Sequence, residues 1–387
     1  MKKLAVIVFV LVAYFACKKP FAPDLGSSNN IHYLVIEGVI DGADSTFIRL
    51  SRTKKVDTFR TIIAETGAIV TIESDANTTI PLTELKPGTY AAPPFQLDAA
   101  RKYRLRMKTL DAKEYVSDFV QVKNSPAIDS VGFNAQSSGA TIYVNSHDAS
   151  NSTRYYRWDY SEAWQFHAYY ISQWIAETVA RPVDKQIYYC FSGDTSSNII
   201  LGSTTKLASD IVYQSPVTSI PPTSEKIELK YSILVRQYAL TPDAYAFWQN
   251  LQTNTEKLGS IFSVLPSQSP TNFHCVTNPS EIVVGYLSVG NVASKRVFIT
   301  ADQFPSSYKP QYPTGCGLDT TFIDPKTPAQ VITTNIYNQS YQLYTLVTGL
   351  YLPPPNPFGV PTAYTYSTNI CADCTVRGKL PPPPFWK

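Results

Sequence analysis

Apolar and polar side chains alternate most regularly in the stretch that begins at Lys226. The apolar members share one face of an extended segment: Ile227, Leu229, Tyr231, Ile233 and Val235. The opposite face carries Glu228, Lys230, Ser232, Leu234 and Arg236. Because successive side chains of a strand point to opposite faces, this pattern predicts a half-buried strand.

The residues that follow carry the start signals of a helix. Thr241 can act as the N-cap acceptor, Pro242 suits the first helical position, and Asp243 complements the positive end of the helix dipole. Apolar residues then recur at helical spacing, and Gly259 is of the type that commonly ends a helix. The sequence predicts one clear α-helix over residues 242–257.

Elsewhere the chain consists of short alternating segments separated by turn residues. In the first third we predict strands at Tyr33–Ile40, Thr46–Leu50, Ala68–Glu73, Tyr103–Lys108 and Tyr115–Val122. Later strands are predicted at Thr141–Asn145, Ile199–Ser203, Ile211–Gln214, Ile282–Val289, Lys295–Thr300 and Gln342–Leu350. Together with abundant Tyr, Thr, Ser and Val, these segments predict an all-β fold class.

The length of the chain, 387 residues, indicates two domains, since a single core usually stops growing at about 250–300 residues. Residues 31–126 are predicted to form an immunoglobulin-like or transthyretin-like β-sandwich. Residues 127–387 are predicted to form a larger β-rich domain with the single helix and a disulfide-held C-terminal tail. Phe304–Pro313 and Leu352–Pro361 predict long loops, and Pro381–Trp386 predicts extended polyproline.

An aromatic-rich run extends from Arg154 to Trp174. Such rings can stack on a flat ligand or a partner while their polar edges form hydrogen bonds. We expect a ligand- or partner-binding surface formed by Trp164, Tyr169, Tyr170 and Trp174. The alternative is that these rings are the core and rim of a β-sheet, because aromatic side chains mostly serve packing.

The first residues have the pattern of an export signal. Lys2 and Lys3 precede an apolar run of thirteen residues, Leu4–Ala16, which is shorter than the roughly 20 residues that span a bilayer. We therefore predict a signal peptide at residues 1–16 and lipidation of Cys17, which directly follows a small residue. The alternative is a plain signal peptide with an incidental cysteine. Residues 17–30 predict a lipid-anchored tether.

Charge and motif content exclude several function classes. Removing Lys2 and Lys3 from the 33 basic residues leaves 31 against 30 acidic ones, and no basic run remains, so nucleic acid is not an expected partner. The common hydrolase, phosphate-loop and dinucleotide motifs are absent. His147 and Asp148 come nearest to a polar catalytic pair, in a stretch typical of a surface turn. We expect no enzyme, no cofactor and no metal site.

Five cysteines follow Cys17 in the sequence: Cys190, Cys275, Cys316, Cys371 and Cys374. In an exported protein they are most simply structural disulfides. The Cys371-to-Cys374 spacing also fits half of a zinc site or a redox pair, but further ligands at knuckle spacing and a thioredoxin-like context are missing. Because five is odd, one thiol is left unpaired.

Several stretches of the chain form a recognisable combination. They are KYSILVRQYALTPDAYAFWQNLQTNTEKLGSIF, LPSQSPTNFHCVTNPSEIVVGYLSV and KRVFI, with CKKPF and LVIEGVI near the start and CADCTVRGKLPPPPFW at the finish. This combination resembles a family of Bacteroidota envelope lipoproteins, the domain of unknown function 4249 (DUF4249). The resemblance covers nearly the whole chain after the leader.

The resemblance implies an accessory of TonB-dependent outer-membrane receptors, with no catalytic residues to transfer. It also implies that Cys190, Cys316, Cys371 and Cys374 are the disulfide cysteines and that Cys275 is the unpaired one. On that pattern Cys316 joins Cys371 or Cys374 and Cys190 takes the other, which would hold the C-terminal tail. We therefore expect a non-catalytic, lipid-anchored outer-membrane protein that partners such a receptor in the uptake of an unidentified small molecule or glycan. The alternative is a structural or assembly factor of the envelope with no small-molecule ligand. The lysines after Cys17 leave open whether the protein faces the periplasm or the surface.

Overall fold

The computed structural model describes residues 32–53, 62–176, 179–180, 183–256, 270–322, 344–350 and 363–387. The predicted signal peptide, Cys17 and the tether lie outside these residues, as does the predicted loop Leu352–Pro361. Most of the described chain is β structure, and the predicted all-β fold class is confirmed.

The first part of the chain is a series of short strands. They are β1 Leu34–Asp41, β2 Thr46–Arg52, β3 Ile63–Ala64, β4 Ile69–Ser74, β5 Thr79–Lys86, β6 Thr89–Ala92, β7 Lys102–Lys108, β8 Glu114–Ser117 and β9 Val120–Gln121. The sequence pattern does not predict β5, because Pro81 interrupts its alternation. Gly88, at φ +70°, lies in the turn between β5 and β6, where the Pro87–Tyr90 segment predicts one.

The middle of the chain is also β-rich. Its strands are β10 Ile128–Gln136, β11 Gly139–His147, β12 Tyr155–His167, β13 Trp174–Ala176, β14 Val179–Ala180, β15 Tyr189–Thr195, β16 Ile200–Ser203, β17 Ile211–Ile220 and β18 Lys230–Ala239. Helix α1, Pro242–Glu256, follows β18 directly.

The remaining elements complete the sheets. They are β19 Phe273–Cys275, β20 Val283–Gly285, β21 Ser288–Gly290, β22 Ala293–Thr300, β23 Asp319–Phe322, β24 Tyr344–Leu350, β25 Ala363–Thr368 and the single turn α2 Asn369–Ala372. The last three strands form a small sheet in the order β23-β25-β24.

The first sheet runs in the order β19-β8-β7-β4-β5-β6-β2-β1-β20, and β3, β9 and β21 pair at its sides. It surrounds a core of side chains from alternate strand positions. That core includes Leu34, Ile36, Ile48, Leu50, Val70, Ile72, Tyr90, Leu105, Met107 and Tyr115.

Residues 273–290 return to this first sheet. β19 pairs antiparallel with β8, and β20 and β21 pair parallel with β1. The sequence-based division at residue 127 places this segment in the second domain, since strands of three residues carry little local signal. Gly285, at φ +142°, fits here because a Cβ would lie 2.2 Å from the carbonyl oxygen of Ile36.

Two further sheets share the second core. One runs in the order β15-β12-β18-β22, with β16 also paired to β12, and the other in the order β10-β11-β17. Both contribute buried side chains, among them Ile142, Val144, Tyr156, Trp158, Phe166, Tyr231, Ile233 and Val235. The buried Trp158 indole Nε1 donates a hydrogen bond to Gln237 Oε1 at 2.9 Å, so both polar groups are satisfied.

The strand predicted from Lys226 begins later than expected. Glu225–Ile227 form a 3₁₀ turn capped by Ser224, and β18 starts at Lys230. The predicted inward face is correct for Tyr231, Ile233 and Val235, all fully buried. The predicted helix start is confirmed, because the Thr241 Oγ1 accepts a hydrogen bond from the Ala244 N–H at 3.2 Å. The predicted end at Gly259 lies outside the described residues.

Candidate functional site

Trp164 corrects one expectation of the sequence analysis. Its side chain is only 7% exposed and belongs to the second core. The indole Nε1 donates to Glu225 Oε1 at 3.2 Å, and the Lys226 Nζ lies 5.0 Å from the ring centroid. Trp164 is an inward-facing position of the central strand β12, so it is not part of an exposed binding surface.

The neighbouring tyrosines do reach the surface. Tyr169 is 45% exposed, and its ring meets those of Tyr170 and Tyr312 edge-on at 4.6 and 4.8 Å. His167 links Tyr312 to the exposed Tyr189, with centroid distances of 5.5 and 6.2 Å. We call these five residues the tyrosine patch. The side chain of Trp174, the fourth predicted member of the surface, lies outside the described residues.

The tyrosine patch is fixed from beneath by Glu228. Its Oε1 accepts a hydrogen bond from the Tyr312 hydroxyl at 2.6 Å and lies 3.0 Å from the His167 Nε2. Burial, together with the hydrogen bond to Glu228, raises the pKa of Tyr312. The hydroxyl therefore stays neutral at physiological pH and the ring positions are held by a polar network.

The four expected cysteines form two disulfides, Cys190–Cys374 and Cys316–Cys371. Cys275 is buried and free, as the resemblance implies. Because Cys371 and Cys374 bond to different distant partners, they form neither a local redox pair nor half of a zinc site. Both disulfides attach the C-terminal segment to the rest of the chain.

Residues 379–387, which we call the tail, cross the outer face of the β15-β12-β18-β22 sheet. Lys379 pairs with Phe191 on β15 through two backbone hydrogen bonds of 2.8 Å. At the other end, the Trp386 ring meets the rings of Phe191 and Phe298 at centroid distances of 5.1 and 5.7 Å. The predicted extended polyproline is not continuous to Trp386, because a turn closes the stretch with a hydrogen bond of 2.9 Å from the Trp386 N–H to the Pro383 carbonyl oxygen.

A cavity of 900 Å³ lies between the tail and the sheet. We call it the tail cleft. Small residues on one face of β12 and β15 contribute to its lining, with Ser161 opposite Thr195 and Ala163 opposite Gly193. The turn after Cys374 and residues 381–385 contribute to the opposite side, and Phe191 and Arg296 are also part of the lining. Its volume is in the range of small-molecule sites, which is about 300–1,000 Å³.

Arg296 is the most distinctive polar group of the tail cleft. Its guanidinium carbon lies 3.5 Å from the Phe385 ring centroid, and its Nη1 donates to Ser232 Oγ at 3.1 Å. Among the described residues, no carboxylate forms a salt bridge with it. Burial and the nearby cation of Arg236 lower the pKa of Arg296. Arg236 itself is neutralised by Asp159, with Nε and Oδ1 2.5 Å apart.

The other charged groups near the tail cleft are either paired or at its rim. Arg377 pairs with Glu225, and Glu162 accepts hydrogen bonds from Lys226 and from the Tyr231 hydroxyl. Lys379 and Asp194 are exposed and of opposite sign. The unpaired charge that faces the cavity is therefore positive and centred on Arg296.

The two members of the polar pair noted in the sequence have different hydrogen-bond partners and lie at a surface turn, as the sequence indicates. His147 Nδ1 lies 2.8 Å from Asp129 Oδ2, while the Asp148 carboxylate accepts backbone N–H groups of Ser150, Ser152 and Thr153. Asp148 thus shapes a surface turn. Within the described ranges, no group of three His, Cys, Asp or Glu side chains has the arrangement of a metal site.

The tail cleft could not be predicted from the sequence. Its C-terminal aromatic pair was visible in the sequence, but the partners of that pair lie on strands far away along the chain. Arg296 carries no local signal either, since it is one of two consecutive basic residues on an ordinary strand.

These features define an all-β protein with a preformed cleft beneath a disulfide-anchored tail. The chain belongs to the family described as Domain of unknown function (DUF4249), whose profile matches residues 18–296. No curated protein matches the sequence. Among the helices of the described segments, none is both long and apolar enough to cross a membrane.

Solved structures show only weak similarity. A two fibronectin type-III domain segment from chicken tenascin is 11% identical, with a TM-score of 0.17 over 54% of this chain and 92% of that chain. A structure of manganese lipoxygenase of Gaeumannomyces graminis with partial zonadhesin of Komagataella pastoris is 9% identical, with a TM-score of 0.17 over 56% of this chain and 91% of that chain. The BSP domain of a biofilm associated protein is 6% identical, with a TM-score of 0.14 over 74% of this chain and 63% of that chain. Scores this low support no argument about function.

Proposed function

We propose that this protein is a lipid-anchored, non-catalytic binding protein of a Bacteroidota outer membrane that partners a TonB-dependent receptor in the uptake of a ligand. The observation that carries the binding role is the tail cleft, a preformed cavity with an unpaired guanidinium group. The receptor partnership follows from the family resemblance. Two disulfides fit a protein that folds in an oxidising, exported compartment.

The anchor rests on Cys17, which directly follows the apolar leader. Several acyl chains hold a protein on a membrane stably, whereas one chain does not. Replacing Cys17 by Ala should move the protein from the outer-membrane fraction to the soluble fraction of the envelope. A Cys17→Ala variant that still sediments with outer membranes in high salt would refute lipid anchoring.

The tyrosine patch is the surface we assign to the receptor. It places exposed rings of Tyr169 and Tyr189 over a rigid polar network, and aromatic residues in such a setting are typical of binding hot spots. Neighbouring Ile171 is exposed as well and extends the apolar area. The patch lies on ordered strands and loops held by the Cys316–Cys371 disulfide, so little ordering is required on binding.

The decisive experiment is affinity purification of the tagged, full-length protein from mild detergent extracts of its own membranes. We expect a TonB-dependent receptor in the eluate and a loss of at least tenfold in its yield for the Tyr169→Ala, Tyr189→Ala double variant. Tyr213→Ala is the control, because Tyr213 is exposed on a different sheet. If no receptor is recovered from cross-linked or native membranes, the proposal fails and a structural or assembly role in the envelope is favoured.

A further inference from the structure

Arg296 has hydrogen-bonding capacity that the described protein does not use. A guanidinium group has five N–H donors in one plane, and here one face of that plane is covered by Phe385 while Nη1 donates to Ser232. The stacked ring holds the group in place without neutralising it. A fixed, half-buried cation next to a cavity is a ready site for an anion.

The surroundings of Arg296 favour an anion over a neutral ligand. Arg236 lies close enough to disfavour the charged form of Arg296, and burial removes part of the water that would otherwise screen it. The Asp159 carboxylate is already paired with Arg236, whose Nε lies 2.5 Å from the Asp159 Oδ1. An anion at Arg296 would offset the repulsion between the two guanidinium groups.

The rest of the tail cleft favours an organic molecule of moderate size. Its lining includes Pro381–Pro384 and the ring of Phe191, which offer apolar contact area beside the cation. The small residues Ala163 and Gly193 leave room against the sheet for the body of such a ligand. Sites for small molecules commonly combine an apolar lining with a few placed polar groups.

We propose that the tail cleft binds a small organic carboxylate, with its carboxylate group on the Arg296 guanidinium and its apolar body against Pro381–Pro384. One guanidinium edge matches the two oxygens of a carboxylate. A phosphate dianion would need more compensating donors, and Arg377 is already paired with Glu225. The inference rests on the proposed binding role and names its ligand class, but it does not depend on the receptor.

Isothermal calorimetry on the detergent-solubilised, full-length protein tests this assignment with three probes: benzoate, its uncharged counterpart benzamide, and inorganic phosphate. We expect saturable binding of benzoate, no measurable binding of benzamide, and weaker or no binding of phosphate. Arg296→Gln should weaken benzoate binding by about 10- to 100-fold, the range for losing a charged hydrogen bond. Arg296→Lys should restore it only in part, since a point charge lacks the planar fork.

Arg101→Gln is the matched control. Arg101 is an exposed arginine before β7, paired at the surface with Asp98, and its loss should leave benzoate binding unchanged. Thermal unfolding of each variant verifies that the fold is retained. The inference is overturned if benzoate shows no saturable binding, if benzamide binds equally well, if phosphate binds more tightly than benzoate, or if folded Arg296→Gln binds benzoate like the wild type. Because no receptor is present, failure here is distinct from failure of the receptor partnership.

Discussion

Phe191 and Lys379 exchange two backbone hydrogen bonds, from each N–H to the other residue's carbonyl oxygen, both at 2.8 Å. This bridge joins the tail to the outer edge of β15, and the adjacent residue Cys190 is bonded to Cys374. A covalent and a backbone link therefore lie side by side. They determine where the tail starts, and so they determine the position of the tail cleft.

Removing the Cys190–Cys374 disulfide should destabilise this region. We predict that the Cys190→Ser, Cys374→Ser double variant loses about 2–5 kcal/mol of unfolding free energy, the usual effect for a native disulfide that closes a long loop. Denaturant unfolding of oxidised protein measures the loss. Wild type treated with a reductant also loses the Cys316–Cys371 disulfide, so it should be at least as destabilised as the double variant. Equal stability of oxidised wild type and double variant would show that the bridge contributes nothing.

Trp164 and Tyr169 provide a paired test of which aromatic residues are structural. Trp164→Ala should cost about 3–5 kcal/mol, because it opens a cavity in the core and removes one of the two side-chain donors to Glu225, the other being Arg377. Tyr169→Ala should cost less than about 1 kcal/mol, because the ring is nearly half exposed. Urea unfolding of both variants checks the difference. A Trp164→Ala variant as stable as Tyr169→Ala would contradict the burial of Trp164.

Glu73 links the stability of the first sheet to pH. Its carboxylate accepts hydrogen bonds from the Nε of Arg104 at 2.7 Å and of Arg106 at 2.8 Å. Burial alone would raise its pKa, but the two guanidinium groups outweigh burial and hold the pKa below its ordinary value of 4.5. Because the folded-state pKa is depressed, the stabilisation is present above pH 4.5 and is lost as the pH falls through the folded-state pKa.

Glu73→Gln should therefore be less stable than wild type at pH 7, by about 1 kcal/mol for an ion pair near the surface. This difference in unfolding free energy should disappear as the pH is lowered below 4.5. Urea midpoints measured along that pH series test the sign. A gap that stays constant down to the acid transition would mean that Glu73 titrates at the same pH in the folded and unfolded chain.

Local signals in the sequence were sufficient to predict some of the structural elements. The start of α1 was predictable because Thr241 caps the helix through contacts within four residues. The inward face of β18 was predictable because strand alternation is local. Trp164 was assigned to the wrong environment for a related reason: aromatic residues occur both in cores and at binding surfaces, and only the sheet neighbours of β12 distinguish the two.

Long-range pairings could not be read from the sequence. β20 and β21 pair with β1 over three residues each, and nothing within so short a segment specifies a partner near the start of the chain. The same holds for the tail cleft. It exists because Phe385 lies over Arg296 and Trp386 meets Phe298 edge-on, and both contacts join a proline-rich tail to a strand that is distant in sequence.

Trp386 is the second attachment of the tail, and its removal should open the tail cleft. The ring packs against Phe191 and Phe298, and the Lys230 Nζ lies 5.8 Å from its centroid. Without these contacts, the Lys379 bridge still holds the beginning of the tail, and its end keeps the Phe385–Arg296 contact and a hydrogen bond from the Lys230 Nζ to the Lys387 carbonyl oxygen. Phe385 is then held less firmly on Arg296.

We therefore predict that Trp386→Ala increases hydrogen exchange of the backbone amides of residues 385–387 and speeds carboxypeptidase trimming, with little change in the melting temperature of the core. Benzoate affinity should fall as well, because the Phe385 ring then orients Arg296 less firmly. Phe119→Ala is the control, since a cation lies over the Phe119 ring as over Trp386, here Arg104, but Phe119 is between β8 and β9, away from the tail. Unchanged exchange in the tail of Trp386→Ala would show that the other contacts hold the tail without Trp386, and the role assigned to Trp386 would be wrong.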